Sequence, residues 1–558
     1  MILVAVNLPM AAGTFDTANW SDDYQHTNLI VTKAKLSGLF PMIFEAWGGD
    51  NVGGHFAPVF ALVNTLIGLI SLDPRFFHLI IVFLYMLTAF FIYRLIEECN
   101  GDRPLGLVAA VLFSLNYYIG FFGLTWNTMN VHVTNAFLGT VSVFFMVRYL
   151  KTGAVKYLVG CGAFLLSAVW DIENGLVFFP ILSLLLFFKW RKKELDFAKA
   201  SKIFLILCLV VSAYPAGAYL ASGKLNPLGH RFHRERTVQG YAFVAHQLLI
   251  RSTGLTIFYD KMVYDPLKNM PDLKESMKKF LRQNDRQTLN ELPVKYLFIL
   301  LAVGVLSLAF AAVAVVLLLR RTRPELKFFL WGFALLYLLF VFVYNRIDVV
   351  NAVSIFSSVL IAELILSFWR ETRSERRWIG TAIAGLILVA AVWTVGEGFD
   401  DCYRLHYFGL SKVAIQGPDI IYREMNRKIG RFARDGVILF THDYSAYHQT
   451  TGRERIGDML SVQDFGCYNA SVFYRDFLRS DLVEKYKRRK FNDLYFEQFV
   501  YNPAYRQVVI ASKEEALRYI LDQRVDLAKI PVIYLSQDYN VHLLNEEINL
   551  GRVRNPIN

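Results

Sequence analysis

Residues 76–96 read FFHLIIVFLYMLTAFFIYRLI, an apolar run whose one charged residue, Arg94, stands near its end. About twenty apolar residues in a row are needed for a helix to cross the hydrocarbon core of a bilayer. Comparable runs recur along the chain, and the ten that we predict as spans are 76–96, 104–123, 131–149, 156–171, 174–190, 202–221, 295–319, 327–344, 349–369 and 378–396. The sequence therefore predicts an α-helical polytopic membrane protein.

Composition agrees with that fold class. The chain has 558 residues, of which 55% are hydrophobic and 19% charged, whereas soluble proteins carry about 25% charged residues. The net charge is +12, but the basic residues cluster between the apolar runs. They are therefore interpreted as topology signals and contacts to membrane lipids, and a nucleic-acid partner is not predicted.

The N-terminal region is predicted to hold one large loop. Residues 1–12 are apolar but too short to span, and they resemble the outer end of a helix that begins upstream. Residues 13–75 are predicted as the first outer loop. Within it, 58–72 is either a half-span or a helix lying in the interface, and we favour the interfacial helix because Asp73, Pro74 and Arg75 follow at once.

The apolar run 156–190 is interrupted by two acids, Asp171 and Glu173. Charged side chains in the middle of a bilayer are costly. We therefore predict a tight turn between two spans that places both acids at the membrane surface.

The basic residues predict how the spans are oriented, because cytoplasmic loops are enriched in Lys and Arg. Alternate loops hold most of them: Arg94, Arg103, Arg148, Lys151, Lys156, Lys189, Arg191, Lys192, Lys193, Lys199, Lys202, Arg320, Arg321, Arg323, Lys327, Arg370, Arg373, Arg376 and Arg377. The intervening short loops hold only Arg75 and Arg346. The first loop, the 171–174 turn, a large loop at 222–294 and the C-terminal domain are thus predicted to be extracytoplasmic, on a plasma or inner membrane.

Residues 397–558 are predicted as a small soluble α/β domain that follows the membrane domain, residues 1–396. Its pattern alternates helices at 418–434 and 513–523 with strands at 436–441, 507–511 and 530–535. Cys402 and Cys467 are a candidate disulfide pair if this domain faces an oxidising compartment.

The first outer loop contains the candidate catalytic residues Asp22 and Asp23, followed by His26. Adjacent acids are often only a turn or a helix cap. Placed ahead of every complete span, however, one carboxylate can remove the proton of an acceptor hydroxyl while the other orients the substrate. His55 follows two glycines and precedes Pro58; it is either a structural hydrogen bonder or a ligand of phosphate or a sugar hydroxyl.

Other candidates lie in the later outer loops. Arg346, Arg231 and Arg234 can bind a phosphate or contact lipid headgroups. Asp171 and Glu173 either hold an acceptor or a metal, or only break two spans. One further group precedes the span at 131, and it either lines the outer cavity or anchors the helix at the interface: Trp126, Asn127, Asn130 and His132.

The Asp22-Asp23 pair, followed in the same loop by His55-Phe56-Ala57-Pro58, resembles the protein O-mannosyltransferases and their bacterial relatives, which include the lipid A aminoarabinose transferases. These enzymes belong to the GT-C superfamily. In them the acidic pair is usually Asp-Glu, and the second motif reads His-Pro-Pro-Leu. The resemblance covers residues 1–370.

That resemblance implies inverting transfer of a sugar from a polyprenyl- or dolichyl-phosphate donor to a lipid, glycan or protein acceptor at the outer face, with an Asp as base. It implies no cofactor, although the acids and histidines of the first loop also suit a divalent ion. Two alternatives are a transporter or flippase of lipid-linked sugars, typically built of duplicated halves, and a polysaccharide polymerase or ligase that uses basic residues of the 222–294 loop.

Overall fold

The computed structural model describes about half of the chain, mainly the central helices and part of the C-terminal region. The described residues are 3, 7, 57–70, 74–116, 130–222, 241, 245, 248, 249, 251, 252, 323, 326–344, 350–371, 428, 437–442, 505–510, 512–535 and 541–549. The predicted spans 295–319 and 378–396 lie outside them.

The other predicted spans all contain helix. In chain order the helices are α1 (Pro58–Ile70), α2 (Pro74–Asn100), α3 (Arg103–Ser114), α4 (Asn130–Thr152), α5 (Val155–Asp171), α6 (Phe178–Arg191), α7 (Phe197–Ser222), α8 (Lys327–Leu339) and α9 (Asn351–Glu371). A 3-10 turn, Glu173–Val177, leads into α6, and a π turn, Phe340–Tyr344, extends α8.

Helix α3 covers the first part of the predicted span 104–123, and residues 117–123 of that span lie outside the described residues. The helix ends at Ser114, where the N–H of Leu115 bonds to the carbonyl of Val111. Asn116 then leaves the helix, and its side-chain amide donates to the carbonyl oxygen of Arg251 at 2.9 Å. A polar side chain directly after α3 thus bonds across the bundle.

The nine helices of the described residues form one bundle around α2 and α4. Helix α2 packs against α3 and α4, α4 against α5, α5 against α1 and α7, α3 against α9, and α8 against both α6 and α9. Large side chains fill the centre. The buried Tyr85 of α2 stacks on Phe113 of α3 with ring centroids 5.1 Å apart, and its hydroxyl donates to the carbonyl of Phe113 at 2.7 Å. Helix α1 buries one face against this bundle and exposes Leu66 and Ile70.

Four of the described helices are long and apolar enough to cross a membrane. They are Phe76–Asn100, Val131–Thr152, Glu173–Arg191 and Phe197–Leu220. On α7, Leu205, Leu209 and Leu220 remain 60%, 72% and 85% exposed, which suits a surface that faces lipid chains rather than water. The protein is therefore an integral membrane protein.

Ion pairs show which helix ends lie together. Glu97, near the end of α2, pairs with Arg94 and Arg103, while its neighbour Glu98 lies close to Arg148 at the end of α4. Beside them, Asp102 pairs with Arg323 and Arg370, which bring in the start of α8 and the end of α9.

We call this region the basic end of the bundle, and the other the acidic end, after the Asp171 turn. The charge pattern assigns four of the loops to one side of the membrane. Residues from all four meet at the basic end, and this agrees with the assignment. Which compartment each end faces stays a prediction.

The C-terminal region contains a four-stranded sheet with the order β2-β1-β3-β4. Its strands are β1 (Val437–His442), β2 (Tyr505–Ile510), β3 (Val532–Leu535) and β4 (Val541–Leu543), of which only β4 is antiparallel to its neighbour. Helix α10 (Lys513–Asp522) follows β2 and packs its Ala516 and Ile520 onto Phe440 of β1; a short helix, α11 (Leu544–Asn549), follows β4.

The three strands and the 513–523 helix predicted from the sequence are confirmed as elements, whereas the predicted helix 418–434 lies, except for residue 428, outside the described residues. The domain boundary at 397, and the placement of this domain outside the cell, remain predictions.

Candidate functional site

The break between α5 and α6 occurs where the two acids interrupt the apolar run. Helix α5 ends at Asp171, and Ile172 adopts an extended backbone with φ −162° and ψ 155°. The 3-10 turn then begins at Glu173. The chain folds back so tightly that Gly175 lies against the last turn of α5, with its N–H bonded to the carbonyl of Ile172 at 2.9 Å. The predicted turn is therefore confirmed.

Glycine is required at position 175 because a Cβ there would lie 2.2 Å from the carbonyl oxygen of Ala168. We expect Gly175→Ala to lower the free energy of unfolding by about 2–4 kcal/mol, since a backbone atom cannot move aside. Gly162→Ala on the same helix is the matched control: its Cβ would meet only the side chain of Val210, at 3.6 Å. Thermal unfolding in detergent measures both, and equal melting temperatures would contradict the tight turn.

The two acids lie at the turn between α5 and α6, but protein covers them, and their predicted position at the membrane surface stays a prediction. Asp171 is fully buried, and Glu173 and Asn174 are each 2% exposed. The reason is packing that the sequence does not reveal: the start of α4 covers the turn, and the Phe178 ring fits against Gly139, where a Cβ would come within 2.0 Å of it.

Two polar residues of α4 contact this turn. Nδ2 of Asn174 lies 3.4 Å from Nδ1 of His132. Asn135, one helical turn further on, donates to the carbonyl of Ala168 at 2.7 Å and so caps the end of α5. His132 was one of the residues predicted to line an outer cavity, and the structure places it at the acidic end. Asn135 gave no signal in the sequence beyond being a polar residue in an apolar run.

The turn presents hydrogen-bond acceptors without donors. Within the described part of the chain, neither carboxylate oxygen of Asp171 nor Oδ1 of Asn174 has a hydrogen-bond partner, although all three atoms are buried. A buried acceptor left unsatisfied costs about 1–3 kcal/mol, and more when it is charged. A buried acceptor of this kind is retained when a ligand satisfies it, either through hydrogen bonds donated by sugar hydroxyls or through the charge of a cation.

The described residues do not form a metal centre. No group of three or more His, Cys, Asp or Glu side chains within them is placed to hold a metal ion. Asp171 offers two oxygen ligands of the kind that Mg²⁺ or Mn²⁺ accepts, but a second and third ligand from the described residues do not join it. We therefore derive no step through a metal.

A second buried polar group lies at the same acidic end, where α3 ends and α9 begins. Asn116 donates to Arg251, and the hydroxyl of Ser357 donates to the carbonyl of Ser252 at 2.5 Å. Ser354 lies beside them, 3.4 Å from the Asn116 amide. Sequence reasoning missed this group, although the recurrence of Ser at 354, 357 and 358 in an apolar helix was a usable signal.

Most of the remaining candidate residues lie outside the described residues. They are Asp22, Asp23, His26, His55, Trp126, Asn127, Arg231, Arg234 and Arg346, together with the cysteines 402 and 467. Of the predicted site, the structure thus describes Asp171 and Glu173 and brings them together with Asn174 and His132. The roles of all these residues stay predictions.

These features define the class of protein: an integral membrane helical bundle with a buried acidic turn at one end. Among solved structures, the chain is similar to ArnT from Cupriavidus metallidurans bound to undecaprenyl phosphate, at 13% identity and a TM-score of 0.48, over 97% of this chain and 96% of that one. It is also similar to the Archaeoglobus fulgidus oligosaccharyltransferase, solved with Zn and sulfate, at 14% identity and a TM-score of 0.38.

The match to the oligosaccharyltransferase covers 72% of this chain and 53% of that enzyme, so the chain spans about half its length. The same enzyme was also solved tethered to an acceptor peptide. Both neighbours are GT-C enzymes, the superfamily that the first-loop residues resemble. No family model matches the sequence, and no curated protein matches it.

Proposed function

We propose that this protein is a glycosyltransferase that moves a sugar from a polyprenyl-phosphate donor to an acceptor at the outer membrane face, with inversion at the anomeric carbon. The donor class follows the resemblance of the Asp22-Asp23 and His55–Pro58 motifs. The acceptor is a lipid, a glycan or a protein, and no metal is invoked.

The observation that carries the proposal is the buried turn with unsatisfied acceptors at Asp171. Ionisable groups in membrane bundles face the bundle interior or a water-filled cavity and commonly mark substrate paths, because exposure to lipid is too costly. A sugar substrate brings several hydroxyl donors, which would satisfy both Asp171 oxygens and Oδ1 of Asn174. The predicted topology puts the first loop on the same side of the membrane as this turn.

The chemical step needs one base and one stabilised leaving group. A carboxylate of Asp22 or Asp23 accepts the proton of the acceptor hydroxyl while that oxygen bonds to the anomeric carbon. The bond from this carbon to the phosphate oxygen breaks, and its electron pair leaves with the polyprenyl phosphate. Arg346, Arg231 and Arg234 are the proposed phosphate ligands, since a guanidinium bonds two oxygens at once.

The variants Asp22→Asn and Asp23→Asn should show which of the two acids is the catalytic base. The variant of the base is expected to lose about 10²- to 10⁴-fold in kcat, because amide nitrogen and oxygen do not accept the proton. The variant of the other acid should chiefly raise the KM of the acceptor. Transfer is measured with purified full-length protein, synthetic polyprenyl-phosphate sugars and extracted envelope glycans as acceptors.

Arg94→Gln is the control, since Arg94 lies at the basic end and pairs with Glu97. Full activity in both Asp variants together with an essential Arg231 or Arg234 would instead indicate a polymerase or ligase of another class. Movement of the labelled lipid-linked sugar across liposomes without transfer would indicate a flippase.

A further inference from the structure

The loop between α6 and α7, at the basic end of the bundle, carries an unusual concentration of exposed positive charge. Five basic residues lie exposed between the end of α6 and the first turns of α7: Arg191, Lys192, Lys193, Lys199 and Lys202. The two acids within this stretch are already engaged. Glu194 pairs with Lys189, and Asp196 accepts a hydrogen bond from the N–H of Lys199 at 2.7 Å.

Several basic residues of the neighbouring loops form ion pairs, in contrast. Arg94 and Arg103 pair with Glu97, and Arg323 pairs with Asp102 and Glu363. Among the described residues, no ion pair involves any of the five basic residues of the α6–α7 loop; only Lys199 has another partner, the ring of Tyr149 at 5.8 Å. This loop therefore holds positive charge that the described part of the protein does not balance.

Aromatic side chains adjoin these charges. The Trp190 ring lies 5.8 Å from the rings of both Phe187 and Phe197, so that the three form one cluster across the loop. All three are exposed, Phe197 by 67%. Trp favours the headgroup level of a bilayer because its ring is apolar and its N–H is polar, and the two Phe rings add apolar surface beside it.

An apolar strip continues from the aromatic cluster along α7. Phe204 is 41% exposed and Leu205 60%, and both lie within the next turns of the helix. We name the five basic residues, the three aromatic residues and this strip the α6–α7 patch. It combines cations, aromatic rings and aliphatic side chains, the kinds of side chain that suit an anionic headgroup, the glycerol region and the acyl chains of a lipid.

We propose that the α6–α7 patch is a binding site for an anionic phospholipid, whose phosphodiester lies on Arg191, Lys192, Lys193 and Lys202 while its acyl chains follow Phe204 and Leu205. Charge complementarity selects an anionic headgroup over a zwitterionic one. The apolar strip selects a lipid over free phosphate, which would gain nothing from it. This site is separate from the acidic end and does not depend on the proposed function.

The test compares lipid preference between two matched double variants of the full-length protein. Lys192→Gln with Lys193→Gln removes two charges from the patch. Lys156→Gln with Lys327→Gln removes two exposed charges from other loops of the same predicted membrane side and is the control. In liposomes of phosphatidylcholine with a trace of spin-labelled phosphatidylglycerol or phosphatidylcholine, the fraction of immobilised label gives the preference.

The wild type and the control pair should both immobilise phosphatidylglycerol in preference to phosphatidylcholine. The patch variant should lose roughly tenfold or more of that preference, since each surface charge contributes about fivefold. If both double variants lose the same share of the preference for phosphatidylglycerol, the proposed site is wrong, and the preference comes from the overall positive charge of this side of the protein. Displacement of the labelled lipid by inorganic phosphate at constant ionic strength would also overturn it, because the ligand would then be free phosphate. Unchanged melting temperatures confirm that both variants are folded.

Discussion

The Asp171→Leu variant is expected to unfold at a higher temperature than the wild type and to transfer sugar more slowly. Asp171 is fully buried, and both its oxygens lack donors in the described part of the chain. Its carboxylate also lies at the end of α5, where the helix dipole is negative. Removing it should raise the free energy of unfolding by about 1–3 kcal/mol.

Activity should change in the opposite direction. If the Asp171 oxygens bind hydroxyls of the acceptor, their loss removes hydrogen bonds of about 0.5–1.5 kcal/mol each, roughly two- to tenfold in kcat/KM for each bond. The loss should appear mainly as a raised acceptor KM, while the KM of the lipid donor stays nearly constant. Opposite effects of one substitution on stability and on activity are typical of functional sites, where a buried group is kept for its ligand.

Asn135→Leu is the matched control for this prediction. Asn135 lies beside the same turn and is similarly buried, but its amide is bonded to the carbonyl of Ala168. Its replacement should lower the free energy of unfolding by about 1–2 kcal/mol. Thermal unfolding and sugar-transfer assays on both variants test whether Asp171 is kept for its ligand. A destabilised Asp171→Leu variant whose activity falls only with its folded fraction would make Asp171 a structural residue.

The turn illustrates what the sequence can and cannot predict. Two acids in an apolar run predicted the break between α5 and α6, because local hydropathy alone sets where a span must end. Their burial was not predictable, since it depends on α4, whose His132 is 42 residues from Asn174 along the chain. Hydropathy reports whether a residue is costly in lipid, and not whether another helix covers it.

The same limit applies to helix α3 and to the sheet. Hydropathy did not predict that Asn116, within the expected span 104–123, bonds to Arg251, 135 residues away. Strands β1, β2 and β3 were predicted because short β-branched runs carry their own signal. Their parallel pairing was not, since β1 and β2 are separated by residues 443–504.

The largest expected loss of stability at the basic end comes from Glu363→Gln. Glu363 is 2% exposed, and its two oxygens accept from Nε and from an Nη of Arg323, at 2.8 and 2.9 Å. Arg370 lies at 4.0 Å from the same carboxylate. The variant would leave Arg323 facing an uncharged amide inside the bundle.

Removing one partner of a buried ion pair costs about 3–5 kcal/mol. Here about 2–3 kcal/mol is expected, because the side chains of Arg323 and Arg370 are 33% and 43% exposed and can turn towards water. The control is Glu97→Gln, whose partner Arg103 is 74% exposed; it should cost less than about 1 kcal/mol. Denaturant unfolding in detergent measures both, and similar losses in the two variants would contradict a special role for Glu363.

Asp102 belongs to the same cluster of charges. Loss of the cluster would therefore affect how α3, α8 and α9 are held together. Burial raises the pKa of Asp102, but the N–H of Leu105 and the guanidiniums of Arg323 and Arg370 outweigh it and hold the pKa below its usual value. The carboxylate therefore stays ionised at neutral pH. It caps α3 and also bonds Arg323 and Arg370, which precede α8 and end α9.

Helices α3 and α9, joined by this cluster at the basic end, also hold Asn116 and Ser357 at the acidic end. Glu363→Gln should therefore loosen a helix pair that runs between the two ends. A double variant, Arg323→Met with Glu363→Leu, removes both charges and should recover most of the stability, because no buried charge is left without a partner. If the double variant stays as unstable as Glu363→Gln, then the attraction between the charges stabilises the bundle, and the loss in Glu363→Gln does not come only from an unpaired charge.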